Sequence, residues 1–146
     1  MSDFIPMISS GTAGPLGVLH LPRLWLKASL GAQGKLHSDY PAIGAGYDQM
    51  VLDGLGIDKG AFESYIADSK PTYCQLESWI LEQKGGSLDQ GAVDELNAAI
   101  TGYIHDDETR AEVCAAAGRP DDGSVKDAVN LNNLDDWAGF HSQNLA

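Results

Sequence analysis

An all-α architecture is what this sequence of 146 residues predicts. Apolar residues recur at three- and four-residue spacing in several windows. Glycine, proline and capping side chains punctuate those windows where helix ends need them. No stretch alternates polar and apolar residues long enough to specify a strand. The expected form is a compact single-domain bundle of about six helices over residues 21–146, with residues 1–20 an extended arm packed on the body.

Met1 to His20 carries a single charge and the run Ser9-Ser10-Gly11-Thr12-Ala13-Gly14-Pro15-Leu16-Gly17, which has neither period. Phe4, Ile5, Met7, Leu16, Val18 and Leu19 are costly to leave in water, at about 1.5–3 kcal/mol for each large side chain. The arm is therefore expected to lie along the helices.

Pro22 opens the first helix, which runs through Leu30 and is closed by Gly31 and Gly34. It is apolar almost all round; Arg23 and Lys27, four apart and so on one face, are the exceptions. Residues 31–46 read as a glycine-rich polar loop. A short helix follows from Tyr47 to about Leu52, with Gly54 and Gly56 at its C-terminal turn. Phe62, Tyr65 and Ile66 mark the next stripe. Pro71 then starts a helix with Tyr73, Leu76, Trp79 and Ile80 inward and Gly85-Gly86 as its stop.

Ser87 with Gln90 fits a capping box, ahead of the clearest stripe in the chain, Leu88, Val93, Leu96, Ala99, Ile100 and Tyr103. Asp106 or Asp107 caps a helix reaching Gly118, and the acidic first turn suits the helix dipole. Ser124 is read as the cap of a short segment containing Val125 and Val129. The last helix is expected to begin near Asn133, with Leu134, Trp137, Phe140 or His141, and Leu145 on one face.

Hydrophobic residues make up 43% of the chain, enough for one core. Nine Lys and Arg stand against 21 Asp and Glu, a formal charge of −12. That balance repels a polyphosphate backbone and offers nothing basic to an anionic leaflet, so neither nucleic acid nor membrane is an expected partner. No signal-like segment stands at the start, and a cytoplasmic location is the expectation. Cys74 and Cys114 lack C-x-x-C spacing and read as reduced, buried thiols.

The charge is not evenly spread. Residues 1–47 hold Arg23, Lys27 and Lys35 against Asp3 and Asp39, a formal +1; the other six cations and 19 acids give −13 for the rest. Cations on an apolar helix need partners. Carboxylates of residues 48–146 are one source, and a bound anionic ligand is the other.

No metal site and no cofactor motif is expected. His20, His37, His105 and His141 include no H-x-x-x-H pair. Asp48, Asp53 and Asp58 recur every five residues, without the alternate-position ligands of a calcium loop, and read as helix caps or solvated carboxylates. Gly44-Ala45-Gly46 lacks the context of a phosphate loop, and there is no G-x-S-x-G elbow. A helix-turn-helix around residues 60–84 has no basic recognition face.

Residues 20–48 nevertheless gather most of the acid/base repertoire. Ligand-binding candidates are Arg23 and Lys27 as an anion clamp, joined by Asn133, Trp137 and His141 from the amide- and carboxylate-rich C-terminal stretch. Catalytic candidates are His37 or Asp48 as the acid/base and Tyr47 as a proton donor or hydroxyl contact. The expected function is binding of a small polar or anionic metabolite, extending to a cofactor-independent lyase, isomerase or hydrolase. The alternative is a non-catalytic interaction protein that meets a basic partner through its acidic helical face, with the arm completing a homodimer.

Four stretches, Gly14-Pro15-Leu16-Gly17, Leu21-Pro22-Arg23-Leu24-Trp25-Leu26-Lys27, Gly44 to Gly56, and Asn130-Leu131-Asn132-Asn133-Leu134-Asp135-Asp136-Trp137, together resemble a family of short bacterial proteins designated domain of unknown function five-zero-six-nine. The resemblance spans nearly the whole chain. It implies a stand-alone bacterial protein of one domain and carries no activity with it.

Overall fold

His20 turns the chain from arm to bundle by adopting a left-handed backbone, φ 69°, at the N-cap of the first helix. The structure, a computed structural model, describes residues 3–146. Among them seven helices run in order: α1 Leu21–Ala32, α2 Tyr47–Leu55, α3 Lys59–Ser69, α4 Tyr73–Gln83, α5 Gln90–Gly102, α6 Asp107–Ala117 and α7 Ala128–Asn144. The described residues form no strand, only isolated single-residue pairings, and the all-α expectation holds. No helix is long and apolar enough to cross a membrane.

Local chemistry explains most helix starts. Pro22 supplies a preset φ in the first turn of α1. Asp58 Oδ2 accepts from the Ala61 N–H at 2.9 Å, and Asp106 Oδ1 from that of Thr109 at 2.7 Å. At α4 the cap is Thr72, one residue beyond Pro71, in a reciprocal capping box with Gln75. The box expected at Ser87 and Gln90 does not form; Asp89 caps α5 instead, because its carboxylate reaches the Gly91 N–H at 3.1 Å.

Ser124 likewise caps nothing. Its hydroxyl donates to Asp122 at 2.6 Å. Asp127 takes over as N-cap, through the Asn130 N–H at 3.0 Å, and the two C-terminal segments expected from the sequence merge into α7.

The main core lies among α1 to α5. Val18, Leu21, Leu24, Val51, Leu52, Phe62, Ile66, Leu76, Ile80, Val93 and Ile100 form its centre. Phe62 is its largest fully buried side chain. Cys114, Ala128 and Leu131 are buried outside that cluster, where α6 packs on α7. Cys74 is exposed, so only one of the two thiols is buried as expected.

The arm packs on the bundle by side chain and backbone together. Phe4 pairs with the loop after α1, its N–H on the Lys35 carbonyl at 2.7 Å and its carbonyl receiving the His37 N–H at 3.0 Å. Gly14 lies so close to α4 that a Cβ would stand 2.3 Å from the Tyr73 ring. Buried Glu77 accepts from the Leu16 N–H at 3.2 Å and the Tyr73 hydroxyl at 2.8 Å. Asn97 of α5 holds the end of the arm, accepting from Leu19 N–H and donating to the Gly17 carbonyl.

The inward face of α7 differs from the expected one. Ala128, Leu131 and Asp136 are buried, whereas Trp137, Phe140 and Leu145 are 56%, 39% and 67% exposed. The buried face thus carries two apolar residues and Asp136, which pairs with Arg23 of α1.

Candidate functional site

Arg23 and Lys27 are both buried, one helical turn apart on α1, and each is held by a carboxylate from later in the chain. The Arg23 guanidinium grips Asp136 of α7 through both terminal nitrogens, and also donates to the Pro6 and Ile8 carbonyls of the arm at 2.9 Å each. Tyr40 adds its hydroxyl to the same carboxylate at 3.1 Å, and its ring lies 5.9 Å from the guanidinium carbon. One planar fork thus joins arm, α1, loop and α7.

Lys27 donates to Asp48 Oδ2 at 2.6 Å, which also receives the Gly44 N–H at 2.7 Å. The other oxygen, Oδ1, meets His20 Nε2 at 2.6 Å, and His20 Nδ1 meets the Ser10 hydroxyl at 2.9 Å. Asp48, His20 and Ser10 are almost wholly buried. Asp48 is therefore neither a cap nor solvated, contrary to the expectation for the repeated aspartates; Asp58 is a cap, and Asp53 is exposed.

Burial would raise the Asp48 carboxyl, but donation from His20 and the Lys27 charge outweigh it and hold it at about 2. Burial pushes His20 the other way for its charge type, below its ordinary 6.5, against the opposing pull of Asp48. The imidazole is therefore neutral, with its proton on Nε2 facing the carboxylate and Nδ1 accepting from Ser10. Ser10, His20 and Asp48 are the residue types of a nucleophilic triad. The serine accepts and donates in the same relay that a triad uses, but Ser10 is fully buried and no substrate reaches its hydroxyl in this structure.

Beside this constellation lies an open cleft of about 320 Å³. His20, Arg23, Lys27 and Asp48 line it together with residues 39–41 and 44–47 of the loop and with Tyr103, His105, Asn132 and Asp135. Helical phase explains the last pair: Asn132 and Asp135 are three apart, on the face of α7 that adjoins buried Leu131 and Asp136. Tyr47 spends its hydroxyl on the Ile100 carbonyl at 2.5 Å and packs edge-on against His20 at 5.2 Å. Burial and Asp127 raise its phenol to about 12.

The expected site residues thus divide. Arg23, Lys27, Tyr47 and Asp48 line the cleft. His37 stands outside its lining, half-buried, with Nδ1 accepting from the Asp39 N–H at 3.1 Å. Asn133 and Trp137 border a separate groove with Met7 and Pro22, and His141 borders another with Trp137 near α6. The wall is built by Asn132 and Asp135, one step round the helix from those proposed.

His20, Ser10, Asp136, Asp135, Asn132, Tyr103 and His105 were not among the site candidates. Asn132, Asp135 and Asp136 carried a usable sequence signal, as members of the amide- and carboxylate-rich run before Trp137, and so did His20, as a member of the acid/base cluster of residues 20–48.

Among the described residues no group of three or more His, Cys, Asp or Glu side chains is placed to hold a metal ion. Comparison with sequence models of protein families, with curated proteins and with solved structures finds no match to this chain.

Proposed function

We propose that this protein binds a small polar metabolite in the cleft between α1, the loop of residues 39–47 and the start of α7. One observation carries this reading: Lys27, a buried cation, faces the cleft with a single carboxylate acceptor at 2.6 Å. An ammonium has three donors, so two remain for an occupant. Convergent polar groups around a concave site, with ionisable residues moved from their ordinary values, are the usual marks of a binding site.

Binding is supported more directly than catalysis. His37 lies outside the cleft lining, Asp48 is committed to three donors, and the Tyr47 hydroxyl is already engaged. His105, half-buried in the cleft wall and bonded through Nε2 to Asn132 at 3.2 Å, is the group left for proton transfer.

The test is a thermal-shift and NMR screen of polar metabolites on wild-type protein and on Ala45→Phe, which places a ring in the cleft mouth from an exposed position. A binder lost in the variant, with its melting temperature kept, supports the reading. Binders indifferent to Ala45→Phe, or no binder at all, would sink it.

A second reading is self-association through α7. Exposed Trp137 and Met7 border one groove, and Phe140 and Leu145 continue the apolar surface along the helix.

A further inference from the structure

Between Ser9 and Ala13 the arm has one buried residue, Ser10. The chain is anchored on either side of this stretch, by Arg23 at the Pro6 and Ile8 carbonyls and by Glu77 at the Leu16 N–H. Within it the Ser10 hydroxyl bonds to His20 Nδ1 at 2.9 Å and to no other acceptor among the described residues.

The opposite side of the imidazole decides where a proton would go. Asp48 Oδ1, 2.6 Å from Nε2, belongs to a carboxylate that Lys27 keeps ionised, so it accepts and Nε2 carries the hydrogen of the neutral ring. A second proton must therefore enter at Nδ1, the atom on which Ser10 depends. The serine oxygen would then turn to receive the new N–H, leaving the hydroxyl hydrogen without an acceptor in a fully buried position.

The charges around the ring reinforce this. Arg23 and Lys27 of α1 oppose a further positive charge, Asp48 of α2 favours it, and burial disfavours it most. Tyr47 of α2 packs against the ring edge-on and is uncharged. Tyr103 and His105 after α5, with Asn132 and Asp135 of α7, share the cleft that His20 lines.

We infer that His20 is a proton-operated latch on the arm: a proton at Nδ1 releases the turn of residues 9–13 from the bundle while the helices stay folded. Ser9 and Thr12, which bracket Ser10, border the groove beside Trp137, whereas His20 borders the cleft. Proton uptake by a cleft residue is thus read out at a different surface.

The experiment follows the full chain by NMR from about pH 7.5 to 5. It records the His20 ring titration and the exchange protection of the Thr12 and His20 amides, which bond to the Ser9 and Thr12 carbonyls at 3.1 Å, with Leu96 and Ile100 as core references. Below about 6.5 the protection of the two arm amides is expected to fall by up to about tenfold per pH unit, while the core amides keep theirs. His20→Asn should abolish that response. Ser10→Ala, which withdraws the donor from the neutral ring, should raise the midpoint of the His20 titration by about 0.5–1 in pH.

Arm protection that stays constant over this range, or falls in step with the core, overturns the latch. So does a pH response that survives in His20→Asn, or a His20 midpoint that Ser10→Ala leaves in place. If His20→Asn fails to fold, the wild-type comparison and the Ser10→Ala midpoint decide alone.

Discussion

Arg23 and Asp136, 113 positions apart, form a two-pronged buried ion pair that no other cation among the described residues shares. Removing one partner leaves the other charged in the interior. Arg23→Met is expected to destabilise the fold by about 3–5 kcal/mol, and Asp136→Leu by a similar amount, because an unpaired buried charge costs far more than the pair contributes. The double variant should recover part of the loss. Urea unfolding of the three proteins checks this; additive losses would mean that the pair is not coupled.

Acid should weaken the protein earlier than carboxylates alone would. The folded state keeps His20 neutral while the unfolded chain takes up a proton below 6.5. Stability is therefore complete above that value and falls by up to about 1.4 kcal/mol per pH unit beneath it, until the folded imidazole also titrates. Asp48 adds a second loss only between its ordinary 3.8 and about 2. His20→Asn, which tolerates the left-handed backbone, should melt lower at pH 7.5 yet show a flatter profile from 6.5 to 5. A profile parallel to wild type would refute this assignment.

The arm is fastened at Gly14. Gly14→Ala puts a methyl within 2.3 Å of the Tyr73 ring and 2.7 Å of a Glu77 oxygen, so Leu16 loses its acceptor when they move. A cost of about 1–3 kcal/mol is expected, with faster amide exchange between residues 12 and 19. Unchanged exchange there would show that the contact is dispensable.

Trp137 tests self-association. If copies meet through α7, Trp137→Glu gives a smaller particle by light scattering at equal concentration and the same melting cooperativity. A wild-type chain already monomeric at high concentration excludes that reading.

Much of this molecule is legible in its sequence because helix ends are local. Asp106 and the glycine after α6 mark that helix from side-chain chemistry within a few residues, and Leu24, Leu76 and Ile100 fall on stripes that the core buries. The need of Arg23 and Lys27 for partners was equally visible. Which carboxylates answer them was not, since Asp48 and Asp136 are ordinary polar residues until tertiary contact buries them. The rotation of α7 is hidden for the same reason: Trp137 and Leu145 dominate the hydrophobic pattern, whereas the buried face combines Ala128 and Leu131 with Asp136, whose partner Arg23 is remote in sequence. The left-handed backbone of His20 was hidden as well, since nothing short-range announces one for a histidine.

The long reach of that ion pair has a temporal side. During synthesis at about 5–20 residues per second, Arg23 is made on the order of ten seconds before the carboxylate that neutralises it. Until α7 arrives, the guanidinium has the Pro6 and Ile8 carbonyls within reach but no carboxylate to neutralise it. Residues 14–19 can settle on α4 and α5 before that, but the side of the cleft that carries Asn132 and Asp135 is present only once α7 has been made.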